Sequence, residues 1–165
     1  MSAEKIISDW KKKNFKPVYW LEGEEDYYID MVMEHAEHHI LDEAQAGFNL
    51  TVFYGKDADW AAVINACKRY PMFADKQVVL LKEAQHMKDL EKLESYVESP
   101  LASTIFIVGH KTKTLDKRTK LSKLLAKNAE TFTSQKIKDE KIHDWISNLL
   151  QAKGFVMKPK AISLL

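Results

Sequence analysis

Two patterns of apolar and polar residues alternate along the chain. Short continuous apolar runs, bounded by glycine, proline or polar residues, predict buried strands. Longer segments, with apolar residues three and four positions apart, predict amphipathic helices. The predicted strands are residues 17–22, 48–54, 77–82, 103–109 and 131–137. The predicted helices are residues 3–13, 25–41, 60–69, 88–98 and 117–128.

After one leading helix, strands and helices alternate regularly. This order predicts an α/β domain in which helices cover both faces of a five-stranded parallel sheet. The continuous apolar run at residues 103–109 indicates a strand that is buried on both faces. Folds of this kind bind ligands beyond the carboxyl ends of their strands, so candidate chemistry is sought there first.

The pattern changes from Asp139 onwards. Residues 139–152 predict one more amphipathic helix, Gly154 interrupts it, and Pro159 begins another helical segment. Two helices with no strand between them indicate a separate helical domain. We therefore predict an α/β domain over residues 1–138 and the truncated beginning of a helical domain over residues 139–165.

Composition narrows the class of protein. The 165 residues are 45% apolar and 30% charged, which is typical of a folded soluble chain. No apolar run approaches the ~18 residues of a membrane span, and the first residues lack the pattern of a signal peptide. The lone cysteine, Cys67, excludes an internal disulfide and a cysteine-based zinc site, and its place on an apolar helix face predicts a buried thiol. These features predict a cytoplasmic protein.

Charge is balanced overall at +1 but is distributed unevenly. Residues 1–50 carry eleven acidic and five basic side chains, whereas residues 111–165 carry five acidic and thirteen basic ones. The simpler interpretation of the basic stretch is the solvated face of an amphipathic helix, and the functional alternatives are contacts with nucleic-acid phosphates or with neighbouring protein subunits. The candidate DNA contacts are Lys111, Lys113, Lys117, Arg118 and Lys120.

The first strand–turn–helix is where a phosphate-binding P-loop, G-x-x-x-x-G-K-[ST], would lie. Gly23 fills the first glycine position, but Tyr28, Ile29 and Asp30 replace the second glycine, the lysine and the hydroxyl residue. Three of the intervening residues are carboxylates, which would repel a triphosphate. The degenerate turn therefore argues against ATP binding, and the absence of G-x-G-x-x-G removes support for a dinucleotide site. No cofactor is expected.

Other catalytic chemistry has little support in the sequence. His35, His38 and His39 share one predicted helix, but they do not form the H-E-x-x-H pattern of a zinc site. A solvated helix face is the simpler interpretation of these histidines. No nucleophile–base arrangement is evident, so we predict neither a catalytic residue nor a bound metal.

Three segments of the chain carry a family resemblance. Residues 17–30 combine the first strand with the degenerate turn, residues 69–81 read RYPMFADKQVVLL, and residues 103–109 read STIFIVG ahead of a lysine-rich stretch. In order and spacing, these segments resemble the delta subunit family of bacterial DNA polymerase III. Together they span most of residues 15–137.

The resemblance implies a fold, a function and partners. The fold would be a three-layer, P-loop-NTPase-like AAA+ domain that lacks nucleotide binding, followed by a small helical lid domain. The protein would be a non-catalytic clamp-loader subunit that binds the sliding clamp and helps to open it on primed DNA. Sister subunits would hydrolyse ATP, and assembly with them would use a C-terminal domain that this chain does not include.

The resemblance also implies a clamp-binding element at Pro71, Met72 and Phe73. Met72 replaces the commoner leucine of the family, and Ala74 replaces a glycine or serine, but both changes keep the apolar character. From the residues alone, core positions that close a helix are the favoured interpretation of Met72 and Phe73. Two functional alternatives are an ATPase with an unusual phosphate site and a delta-prime-type subunit. The single Cys67 disfavours the delta-prime type, which usually carries zinc-binding cysteines.

Overall fold

A sheet of five parallel strands forms the centre of the computed structural model, which describes residues 1–136 and 142–152. The strands are β1 (Val18–Gly23), β2 (Leu50–Tyr54), β3 (Gln77–Lys82), β4 (Thr104–Lys111) and β5 (Glu130–Ser134). Their order across the sheet is β2-β3-β4-β1-β5, and every neighbouring pair is parallel. The α/β class and the five-stranded parallel sheet are therefore confirmed.

Helices connect the strands and cover both faces of the sheet. They are α1 (Ala3–Lys11), α2 (Asp26–His39), α3 (Glu43–Asn49), α4 (Trp60–Cys67), α5 (Glu94–Val97) and α6 (Lys120–Asn128). Helices α1 and α2 pack on one face, and α4, α5 and α6 pack on the other. Among the described helices, none has both the length and the apolar character needed to cross a membrane.

Strand β3 shows how the sheet forms two cores. Val78 and Leu80 contribute to the core beneath α1 and α2, whereas Val79 and Leu81 contribute to the core on the opposite face. All four side chains are fully buried, because successive residues of a strand point to opposite faces. Strand β4 is buried in the same way from Thr104 to His110, which confirms the prediction made for its apolar run.

The largest differences between the prediction and the structure lie at α3 and α5. The prediction missed α3, whose first turn is capped by the Asp42 carboxylate accepting from the Gln45 amide at 2.7 Å, so β2 begins at Leu50 rather than at residue 48. The helix predicted over residues 88–98 is only a 3₁₀ turn, Leu90–Leu93, followed by the short α5. Asp89 takes a left-handed conformation, with φ of 55°, and this delays the start of the helix.

The chain divides into two compact units, Met1–Ser134 and Gln135–Leu165. In the second unit the structure describes α7 (Ile142–Ala152), which agrees with the helix predicted over residues 139–152. The predicted interruption at Gly154 and the helix after Pro159 lie outside the described residues. The assignment of this unit to a lid domain, with a boundary after residue 138, stays a prediction.

Candidate functional site

The degenerate phosphate turn lies at the carboxyl edge of the sheet, between β1 and α2. Gly23 has a φ of 128°, which side-chain-bearing residues rarely adopt, and a Cβ atom there would collide with the backbone of Ser134. Glycine at this position is therefore explained by the close packing of β1 against the end of β5. A role in phosphate binding is not needed to account for it.

The first turn of α2 is capped by the chain itself. The Glu25 carboxylate accepts a hydrogen bond from the Tyr27 amide at 3.1 Å, and the Glu25 amide donates to Ser134 Oγ at 3.2 Å. In a P-loop, amides at this place bind phosphate oxygens. Here a carboxylate and a hydroxyl oxygen already accept two of these donors, which leaves negative charge where the phosphate would lie.

The positions that correspond to the P-loop lysine and to the second glycine point into the core. Ile29 is fully buried and packs beside Gly109 of β4, and the half-buried Tyr28 packs against the same core. A lysine at position 29 would have to bury its ammonium group among apolar side chains, which is costly. The local fold thus replaces the phosphate ligands of a P-loop with packing residues.

Lys111 closes the same edge with two ion pairs. Its Nζ lies 2.7 Å from Asp30 Oδ1 and 2.8 Å from Glu83 Oε1, and its side chain is only 14% exposed. Burial by itself lowers the pKa of Lys111, but the hydrogen bonds with the two carboxylates outweigh burial and raise it. The hydrogen bond from Lys111 also lowers the pKa of Glu83. The positive charge of Lys111 is thus already paired with two carboxylates, which disfavours Lys111 as a contact for DNA phosphate.

Two more of the predicted DNA contacts have carboxylate partners. The Arg118 guanidinium lies 2.9 Å from Asp116 Oδ2, and Lys120 Nζ lies 3.9 Å from Glu94 Oε1. Lys113 and Lys117 are exposed and have no carboxylate partner within residues 1–136 and 142–152. The DNA-contact prediction therefore stays a prediction, and it now depends mainly on Lys113 and Lys117.

The predicted clamp-binding residues lie at the opposite, amino edge of the sheet, on the loop between α4 and β3. Phe73 is 91% exposed, Met72 is more than half exposed, and Pro71 is half-buried. The interpretation of Met72 and Phe73 as core residues that close a helix is therefore wrong. The three residues are contiguous, and the loop presents two large apolar side chains to solvent.

Two buried amide side chains anchor this loop. Asn49, at the end of α3, donates from Nδ2 to the Met72 carbonyl at 2.8 Å and accepts from the Met72 amide at 2.7 Å. Gln77, the first residue of β3, donates from Nε2 to the carbonyl oxygens of Ala66 and Arg69. Both ends of the loop are thus tied to regular secondary structure, so its exposed side chains project from a fixed support.

The sequence prediction missed two exposed aromatic residues near these positions. Phe48 on α3 is 67% exposed, and its ring lies edge-to-face with that of Phe73 at a centroid distance of 6.3 Å. Tyr70 lies on the same loop and is largely exposed. We call Phe48, Tyr70, Met72 and Phe73 the apolar tip. Residues 43–49 carry no clear helical period, so the sequence places Phe48 on a strand and gives no signal for its exposure.

The other residues considered for chemistry do not form a site. Cys67 is buried as predicted, and burial raises the pKa of its thiol, which disfavours the reactive thiolate. The rings of His35 and His39 lie 5.0 Å apart, and burial together with His39 lowers the pKa of His35. Among the described residues, no three His, Cys, Asp or Glu side chains gather in a metal-binding arrangement.

Comparisons with known proteins agree with one another. The family model described as DNA polymerase III, delta subunit, matches residues 19–135. The DNA polymerase III subunit delta of Bacillus subtilis (strain 168) is 28% identical over 153 residues, which cover 87% of this chain and 44% of the relative. The chain therefore spans less than half the length of this relative.

Solved structures show the same fold. The Bacillus subtilis DNA clamp loader delta protein superimposes with a TM-score of 0.78 at 24% identity, covering 97% of this chain and 50% of that one. A gamma subunit-related protein of Thermotoga maritima gives a TM-score of 0.54 at 9% identity, covering 94% and 55% of the two chains. The RuvB Holliday junction branch migration motor of Thermotoga maritima gives 0.52 at 16% identity, covering 97% and 53%. The predicted AAA+-like architecture is thereby confirmed.

Proposed function

Because this chain belongs to the DNA polymerase III delta subunit family, we propose that it is a non-catalytic clamp-loader subunit that binds the sliding clamp through its apolar tip. The observation that carries this proposal is the 91% exposure of Phe73 on a loop held by buried hydrogen bonds. Large aromatic side chains that fill a pocket on a partner dominate the energetics of many small interfaces. An exposed ring on a rigid support suits that role, and the flexible Met72 beside it can adapt to an irregular pocket.

Clamp opening follows from differential binding. A subunit that binds the open ring more tightly than the closed ring shifts the population toward the open form. This step needs no nucleotide hydrolysis by the subunit itself. The self-capped first turn of α2 and the ion pairs of Lys111 support a non-catalytic role, so we assign ATP hydrolysis to sister subunits of the loader. Those subunits and primed DNA are the further partners that we propose.

Replacing Phe73 with alanine tests the clamp-binding proposal. We expect the Phe73→Ala variant to lose at least ~2 kcal/mol of affinity for the sliding clamp of the same organism, or roughly 30-fold, because a buried anchor is removed. Surface plasmon resonance measures the affinity. Tyr54→Ala is the matched control, since Tyr54 is a half-exposed aromatic residue at the carboxyl end of β2.

The control variant should bind the clamp like the parent chain. Because Phe73 is exposed, its removal should also leave the melting temperature nearly unchanged. An unchanged clamp affinity for Phe73→Ala, in a protein with the parent melting temperature, would contradict the proposal.

Nucleotide addition tests the absence of ATP binding. We expect millimolar Mg²⁺–ATP to leave the melting temperature of the chain unchanged, because a ligand stabilises a protein only when it binds the folded state. Differential scanning fluorimetry with and without nucleotide makes the measurement. A concentration-dependent rise would restore the ATPase alternative.

A further inference from the structure

Asn49 makes a long-range contact with the backbone of the apolar tip. It is the last residue of α3 and is 2% exposed, yet its amide engages the backbone of Met72, 23 positions further along. The Asn49 side chain donates to the Met72 carbonyl at 2.8 Å and accepts from the Met72 amide at 2.7 Å. Both backbone polar groups of Met72 are therefore held by one buried side chain.

The residue that follows Met72 needs such a restraint. Phe73 has a φ of 58°, in the left-handed region that residues with a Cβ enter only at a cost in free energy. Its side chain is 91% exposed, so packing supplies little of the restraint, and the edge-to-face contact with Phe48 adds one neighbour. The Met72 carbonyl belongs to the peptide group that leads into Phe73. A hydrogen bond that fixes this carbonyl therefore also fixes the orientation of the Phe73 backbone.

We propose that Asn49 is a positioning residue for clamp binding, which holds the Met72–Phe73 peptide so that the Phe73 ring is presented in its binding orientation. The inference rests on the proposed function, because it assumes that Phe73 contacts the clamp. Its physical basis is preorganisation, since a side chain that is already ordered loses less conformational freedom when the complex forms. Asn49 acts through Met72 and Phe73 and needs no contact of its own with the clamp.

The Asn49→Leu variant tests this role, because leucine has a similar volume and cannot form either hydrogen bond. We expect about tenfold weaker clamp binding, since the Met72 amide and carbonyl lose their partner while Met72 and Phe73 themselves remain. Asn128→Leu is the matched control. Asn128 Nδ2 donates to the Val97 carbonyl at 2.9 Å, so the same substitution there removes a similar side-chain–backbone bond away from the tip. The control should keep the clamp affinity of the parent chain.

A double-mutant cycle separates positioning from general destabilisation. If Asn49 acts through Phe73, the Asn49→Leu/Phe73→Ala double variant should bind the clamp no more weakly than Phe73→Ala alone. Additive losses would overturn the positioning role. If Phe73→Ala weakens binding but Asn49→Leu does not, this inference fails and the proposed function stands. If Phe73→Ala itself has no effect, both fail.

The Asn49→Asp variant provides a second test, should the leucine variant fail to fold. A carboxyl group donates to the Met72 carbonyl only while it is protonated. At about pH 8 the carboxyl is ionised, so Asn49→Asp keeps an acceptor for the Met72 amide but cannot donate to the Met72 carbonyl, and we expect weaker clamp binding than in the parent chain. A clamp affinity equal to that of the parent chain at this pH would overturn the inference.

Discussion

The two edges of the sheet differ in how far their candidate functional side chains are available to a partner. At the carboxyl edge, Lys111 is partnered within the chain by Asp30 and Glu83. At the amino edge, the apolar side chains of Met72 and Phe73 are left exposed. Ligands of α/β folds usually bind beyond the carboxyl ends of the strands. The comparison fits our proposal that the partner binds at the amino edge rather than at the carboxyl edge.

Both edges nevertheless use the same structural device, a side chain bonded to backbone groups. The Glu25 carboxylate accepts a hydrogen bond from the Tyr27 amide, and it thereby occupies the place where a P-loop would bind a phosphate oxygen. The Asn49 amide bonds both backbone groups of Met72, and in doing so it supports the residue that we expect to bind a partner. At the carboxyl edge the side chain occupies backbone donors that a ligand would need, whereas at the amino edge it leaves the neighbouring apolar side chains exposed.

Gly23→Ala should have the largest effect on stability. It tests whether Gly23 is required for close packing at the carboxyl edge rather than for phosphate binding. We expect the free energy of unfolding to fall by about 3 kcal/mol, because alanine combines an unfavourable φ with a collision against Ser134. Urea denaturation measures the change. In the control variant Gly47→Ala, the new methyl group meets nothing within 4 Å in α3, so stability should rise by about 1 kcal/mol. A tolerated Gly23→Ala would break the structural explanation of this glycine.

Phe48→Ala tests whether the interaction surface at the amino edge extends from the loop between α4 and β3 to helix α3. We expect clamp affinity to fall by about 1 kcal/mol, or roughly fivefold, because the variant loses one exposed ring and its edge-to-face support of Phe73. The melting temperature should hardly change, since Phe48 is 67% exposed. Surface plasmon resonance beside Tyr54→Ala makes the comparison. If Phe48→Ala matches the control, the interaction surface is confined to the loop between α4 and β3.

The smallest expected effect is a pH dependence of stability from His110, near the carboxyl end of β4. Burial lowers the pKa of His110 below its ordinary value of 6.5, and its Nδ1 donates to the Lys113 carbonyl at 2.9 Å. The folded state therefore resists protonation, so stability is fully present above about pH 6.5 and falls as the pH drops below that value. Urea denaturation at about pH 7.5 and about pH 5.5 measures the fall.

In the same experiment, the His110→Asn variant should show a smaller fall than the parent chain. A residual fall is expected from His35, whose pKa burial and His39 also lower. Equal pH dependence in the parent and the variant would rule out His110 as a source.

Local patterns predicted most of the fold. The apolar run of β3 gave its bounds at residues 77–82, and the alternation of strands and helices gave the parallel sheet. The short helix α3 was missed because its seven residues include Gly47 and carry too few apolar positions for a clear helical period. Only the family resemblance predicts the role of Met72 and Phe73, because the residues by themselves favour a place in the core.

The sequence by itself determined the order of strands and helices, the loss of the P-loop residues and the burial of Cys67. These features depend on neighbouring residues, whose spacing is visible in the chain. Only the tertiary structure decided that Phe73 is exposed, that Asn49 holds Met72, and that Gly23 packs against Ser134. Such contacts join residues far apart in sequence. They arise only when the folded sheet brings the ends of different elements to the same edge.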